Sequence, residues 1–285
     1  MKKLTNKVMR GLVALTVAGM GLALPSTARA DVFTVDEGAV AGANDVTLNV
    51  TGITGKYQEV LTLGAGTFTA TLVVNFTSYT SGVPIVDQIG ATDPGEPTDA
   101  NLYGLYALVT VNGIFALFED TGLGGLQDTY SFGVTGATAD IYVDPLRNTL
   151  LDYTVPGTAG GAGEDMHILT ASAVTPYPIS FGEVKTLANT GTVLGGSYAI
   201  VFTNPTLVNP DGPLYWPGLV GFTLTGTASG DVDPVSECED CVFPSNVRGD
   251  TSISFDLAAP EPATMSLLGI GLLGAGAAAR RRRKV

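Results

Sequence analysis

The stretch Gly66-Thr67-Phe68-Thr69-Ala70-Thr71-Leu72-Val73-Val74-Asn75-Phe76 alternates with a period of two. Phe68, Ala70, Leu72, Val74 and Phe76 are apolar, and Thr67, Thr69, Thr71 and Asn75 are polar. Successive side chains of a strand point to opposite faces, so this pattern specifies a strand with one face in a core and the other in water. Only Val73 breaks the alternation. Runs of the same character occur at 45–53, 57–63, 103–111, 139–143, 198–203, 222–227 and 252–257. Gly, Pro, Asn and Asp punctuate them, with long loops expected at 84–101, 156–165, 205–217 and 230–250. Many short strands with turn residues between them predict an all-β fold, an antiparallel sandwich or barrel. No long amphipathic helix is visible between the two ends, and no linker divides 31–257, so one domain is expected there.

The ends read differently. Lys2, Lys3, Lys7 and Arg10 precede an apolar stretch, 11–24, that is too short to span a bilayer. Ala28-Arg29-Ala30 follows as a small-x-small cleavage site, which predicts a signal peptide over 1–30 and a mature chain starting at Asp31. At the other end, 258–285 holds Pro260-Glu261-Pro262, an apolar segment 263–279 and the basic cluster Arg280-Arg281-Arg282-Arg283-Lys284. As a helix that segment would rise about 26 Å, marginal against a hydrocarbon core of about 30 Å. The basic cluster should stay cytoplasmic. The prolines flanking Glu261 hold the backbone extended, as a cleaving enzyme requires.

Ten of the 14 Lys and Arg residues lie in these two signals. The exported part keeps Lys56, Arg147, Lys185 and Arg248 against all 27 acidic residues, a net charge of −23. Such a surface repels nucleic acid and anionic lipid and favours divalent cations.

Motifs for chemistry are sparse. His167 is the only histidine, which excludes a histidine metal cage, and no G-x-S-x-G elbow accompanies it. It is expected in a loop beside Glu164 and Asp165. Asp120-Thr121-Gly122 resembles an aspartic-protease tripeptide, but its nearest counterpart, Asn189-Thr190-Gly191, lacks the second carboxylate. Gly55-Lys56 lacks P-loop spacing, and Gly160-Gly161-Ala162-Gly163 runs into two acids that would repel a phosphate. Cys238 and Cys241 are the only cysteines; in an exported chain they are expected as a local disulfide. Asp231, Asp233, Glu237, Glu239 and Asp240 around them offer oxygens to Ca²⁺ without matching the EF-hand loop. No other cofactor is expected. Tyr215-Trp216, between Pro213 and Pro217, is either a platform for stacking on a sugar or a plug folded under a sheet edge.

The C-terminal triplet, apolar segment and basic end together resemble the PEP-CTERM signal read by exosortase, a membrane-embedded cysteine enzyme. The resemblance implies temporary anchoring in the inner membrane, processing near Pro260, Glu261 and Pro262, and delivery to the cell surface or matrix. Gly55-Lys56-Tyr57-Gln58-Glu59, Gly66-Thr67-Phe68, Leu102-Tyr103-Gly104-Leu105-Tyr106-Ala107 and Tyr142-Val143-Asp144-Pro145 are similar to flocculation-associated PEP-CTERM proteins. That similarity implies a role in cell aggregation within exopolysaccharide, with no catalytic residues to carry over. The expectation is therefore a non-enzymatic cohesion protein. The alternatives are a carbohydrate-binding module on Tyr215 and Trp216, or a matrix-remodelling hydrolase working through an Asp/Glu pair.

Overall fold

The computed structural model describes residues 31–258, apart from 42, 44–45, 82–86, 89–102, 120–126, 152–158, 161, 189, 235–242 and 244–245. In chain order the strands are β1 (Phe33–Asp36), β2 (Thr47–Val50), β3 (Gly52–Leu63), β4 (Thr67–Thr80) and β5 (Asp87–Gln88). Then come β6 (Gly104–Glu119), β7 (Gln127–Asp144), β8 (Leu150–Leu151), β9 (Ala159–Gly160) and β10 (Met166–Ala171). The last are β11 (Phe181–Leu187), β12 (Val193–Thr203), β13 (Thr206–Leu207), β14 (Thr223–Val232) and β15 (Val247–Ala258). The α-helical content of the described residues is one short helix, α1 (Asp211–Tyr215).

The period-two reading of β4 holds over 67–76; beyond it the register with β3 shifts, and Ser78 and Tyr79 are both buried. Phe68, Ala70, Leu72, Val74 and Phe76 are buried, while Thr67 and Thr69 are exposed. The exception, Val73, faces the other side and is also buried, in a small cluster with Tyr106 and Leu151 beneath the β8–β9 hairpin.

Pairing decides between sandwich and barrel. β3, β4, β6, β7, β11, β12, β14 and β15 follow one another in antiparallel pairs. β15 then pairs back onto β3, from Val247↔Glu59 to Ile253↔Ile53. The eight strands form a closed up-and-down barrel, which leaves the ring no free edge. β7 makes closure fit. One edge pairs with β6; on the other, the N-terminal half pairs with β11 and the C-terminal half with β10. Glycines sit where strands bend. At the register shift of β6, a Cβ on Gly113 would lie 2.1 Å from the Gly133 carbonyl oxygen. At the shift in β3, one on Gly55 would lie 2.4 Å from the Asn75 oxygen. Such bulges add the twist and curvature that closure needs.

Several local expectations change. The run 45–53 is two strands, because Thr51 turns the chain and donates its N–H to the Thr80 carbonyl; β2 then pairs with β1. The expected loop 205–217 contains β13 and α1. The loop 156–165 contains β9 and a 3₁₀ turn, Ala162–Glu164. The loop 230–250 is shorter at both ends, since β14 continues to Val232 and β15 begins at Val247. The loop 84–101 lies largely outside the described residues.

Candidate functional site

The barrel has two unlike poles. At one, β1, β2, α1 and the 3₁₀ turn Pro217–Leu219 fold against the strand ends and fill the interior. Tyr215 and Trp216 are both 0% exposed there. The Trp216 ring meets Phe33 at 6.1 Å and Phe255 at 5.7 Å between ring centres. The Tyr215 hydroxyl donates to Tyr103 at 2.9 Å, and Tyr103 donates to Glu37 Oε1 at 2.5 Å. Tyr79 hydrogen-bonds Tyr215 to complete the chain. Burial raises all three tyrosine pKa values, so the hydroxyls stay protonated. The sugar-platform reading of Tyr215 and Trp216 is thereby corrected. A stacking platform needs an open ring face, and these rings are the plug of the barrel.

Toward the other pole the described residues enclose a cavity of about 70 Å³. Each barrel strand contributes to its wall, with Leu61, Phe68, Val111, Phe132, Val184 and Ile200 among the apolar contributors. Two aromatic walls are Tyr57 and Tyr198, packed edge to face at 5.4 Å. Their hydroxyls are engaged: Tyr57 donates to the Asp231 carbonyl at 2.8 Å and Tyr198 to Thr251 Oγ1 at 2.5 Å. Two glutamates are among the lining residues: Glu183, which alternates with buried Val184 and is bridged by Lys185 at 3.2 Å, and Glu59. Glu59 lies between Tyr57 and Leu61 on the inward side of β3, opposite inward Val247. It keeps some accessible surface because the cavity beside it is wide enough for water. Desolvation alone pushes its carboxyl from the usual 4.5 to about 7. A signal for it existed: in 57–63 the residues of Tyr57's parity are Tyr57, Glu59, Leu61 and Leu63, and Glu59 is the one charge on that face.

Of the five acids expected to offer oxygens to Ca²⁺, Asp231 and Asp233 lie among the described residues. Asp231 Oδ1 accepts the Asp250 N–H at 3.0 Å, and the Asp233 N–H donates to the Arg248 carbonyl. Glu237, Cys238, Glu239, Asp240 and Cys241 lie outside the described residues. A different trio does converge: Asp144, Glu164 and Asp165 bring one oxygen each within 4.8 Å of the others. These could supply three of the six to eight oxygens that Ca²⁺ takes. Much of their capacity is used locally. Asp144 accepts the N–H groups of Leu146, Asn148 and Thr149. Asp165 Oδ2 accepts from Tyr106 at 2.6 Å and Thr149 at 2.7 Å. His167 lies on β10 rather than in a loop, 3.0 Å from Asp140 and stacked on Tyr142.

The outer wall carries a second concavity, a shallow groove of about 790 Å³ across β3, β4, β14 and β15. Hydroxyls of Thr54, Thr77, Ser78, Ser229 and Ser252 line it, beside Lys56, Asp231 and Asp250. Thr54 and Ser78 share a hydrogen bond of 2.7 Å.

The two ends of the described residues, Asp31 and Ala258, lie close together at the plugged pole. The Asp31 N–H donates to Phe255 O at 3.1 Å, and Asp31 Oδ2 accepts the Leu257 N–H at 2.8 Å. The first mature residue expected from the sequence is thus fastened to the strand that leads into the C-terminal signal. Ala28 and Ala30, like Pro260, Glu261, Pro262 and Arg280 to Arg283, lie outside the described residues. Among the described residues no helix is long and apolar enough to cross a membrane.

Comparison with known families finds a match to the PEP-CTERM protein-sorting motif at residues 258–283. The motif marks an exosortase substrate, exported and transiently anchored in the membrane before surface or extracellular release. No curated protein and no solved structure matches the chain.

Proposed function

We propose that this chain is a non-enzymatic surface or matrix protein that holds cells and exopolysaccharide together. The observation that carries the reading is the sorting motif at 258–283, attached directly to the last strand of a closed barrel. A closed eight-strand ring suits life outside the cell, since the ring itself presents no unpaired edge. Its outer wall supports the finer part of the proposal. The hydroxyl groove across β3, β4, β14 and β15 presents donors and acceptors of the kind that pair with sugar hydroxyls. The excess of acidic residues calls for divalent cations between the barrel and an anionic polymer. Individual contacts of this sort are weak; many barrels on one polymer make them strong.

Deletion of the gene tests the proposal. Loss of flocculation, restored by the full chain but not by one lacking 260–285, supports it. Intact flocs in the deletion strain overturn it. Excess EDTA should loosen wild-type flocs, and flocs unchanged by the chelator would remove the cation-bridging step.

A further inference from the structure

The lumen cavity goes beyond the cohesive role and rests on none of its premises. Its wall is mostly apolar, and of the two glutamates on it Glu183 is bridged by Lys185 at 3.2 Å while Glu59 has no hydrogen bond or ion pair among the described residues. A carboxylate so placed is costly unless something neutralises it. The chain cannot do so itself. Between Asp31 and Ala258 it has four basic residues, and none lines the cavity. Lys56 is exposed and lines the outer groove. Arg248 pairs in register with Gln58, on the outward parity of β3. Lys185 bridges Glu183 at 3.2 Å, and Arg147 lies in the turn after β7 at the plugged pole. Asp128 occupies the same parity of β7 as inward Phe132 and adds a further negative charge on that side of the strand.

We infer that the lumen is a binding site for a small organic ammonium ion, its charged head on Glu59 and its short carbon chain against the apolar wall. Size supports a small ligand: about 70 Å³ is roughly two waters' share of liquid volume. Charge selects its sign, because the cavity holds a carboxylate and no chain cation. The two tyrosine hydroxyls are committed to Asp231 and Thr251, so they leave Glu59 as the polar anchor.

The test is a titration of the purified full chain at pH 8 with ethylammonium, and with ethanol and acetate as neutral and anionic counterparts of similar size. The readout is the ¹³C resonance of the Glu59 carboxyl. Saturable binding of ethylammonium in the millimolar range is expected, at least tenfold tighter than ethanol, with none for acetate. Glu59→Gln, followed through the ring signals of Tyr57 and Tyr198, should weaken ethylammonium at least tenfold, while Asp256→Asn should leave it unchanged. Should Glu59→Gln fail to fold, the wild-type protein still decides: saturating ethylammonium must lower the pH midpoint of the Glu59 carboxyl. No saturable shift, equal affinity for ethanol, or an unmoved midpoint would each overturn the proposal. None of these results depends on whether the protein supports flocculation.

Discussion

Glu59→Gln should make the protein more stable, and only above the acid range. In the folded chain the carboxyl titrates near 7, raised from 4.5 by desolvation. Below pH 4.5 the group is protonated both folded and unfolded, so it contributes no penalty. Between 4.5 and about 7 the unfolded chain releases the proton while the barrel retains it, and stability falls as pH rises. Above about 7 the penalty is complete. The interval, at about 1.36 kcal/mol per pH unit, gives about 3 kcal/mol. This is a ceiling, because water in the lumen screens part of it. Glutamine keeps the shape and removes the charge. Tyr57, two residues before Glu59 on the same strand, and Tyr198, on β12 of the same cavity wall, have pKa values raised by burial and stay neutral through this window. Urea denaturation of both proteins at intervals from pH 4 to pH 8 isolates the effect as a difference. That difference should be near zero at pH 4 and approach about 3 kcal/mol at pH 8 in favour of the variant. A difference that stays flat across the range would refute the placement of Glu59 in a desolvating lumen.

Other expectations follow from the plug, the junction and the bends. Trp216→Ala empties a fully buried ring site and should cost about 3–5 kcal/mol in urea denaturation; a loss below about 1 kcal/mol would mean that the ring does not fill the barrel. Asp31→Ala removes an acceptor from the Leu257 N–H and should cost about 1–2 kcal/mol. Hydrogen exchange at Leu257 should speed up, and unchanged protection would show that the two termini are not fastened together. Gly113→Ala places a methyl group against the Gly133 carbonyl and should cost about 1–3 kcal/mol; an unaltered denaturation midpoint would contradict the tight approach at that bulge.

Much of the barrel was legible because its strands obey local rules. β4 announces itself by alternation, and its anomaly, Val73, turns out to be covered on the outer face by the β8–β9 hairpin. Closure was not legible. It depends on β15 meeting β3 and on β7 being shared by β6, β10 and β11, contacts between residues far apart in sequence. The helix and short strand inside 205–217 were hidden by turn residues, Pro210 and Gly212 among them, that also serve helix ends and tight packing. A Cβ on Gly212 would lie 2.2 Å from the Ile168 carbonyl. For Tyr215 and Trp216 the sequence left two readings, and tertiary packing selected the plug. Glu59 was visible as a charge on an apolar face, yet one acidic residue in so acidic a chain carries little weight until the strand's inward side is known. Among the described residues, Asp144, Glu164 and Asp165 converge although Asp144 lies 20 residues before Glu164, a grouping that proximity along the chain does not announce.

Intact mass spectrometry of the protein recovered from the cell surface or medium tests the central claim most directly. A chain that begins at Asp31 and has lost Arg280 to Val285 is the predicted product of export followed by processing at the C-terminal signal. A surface species that still carries those basic residues would contradict it.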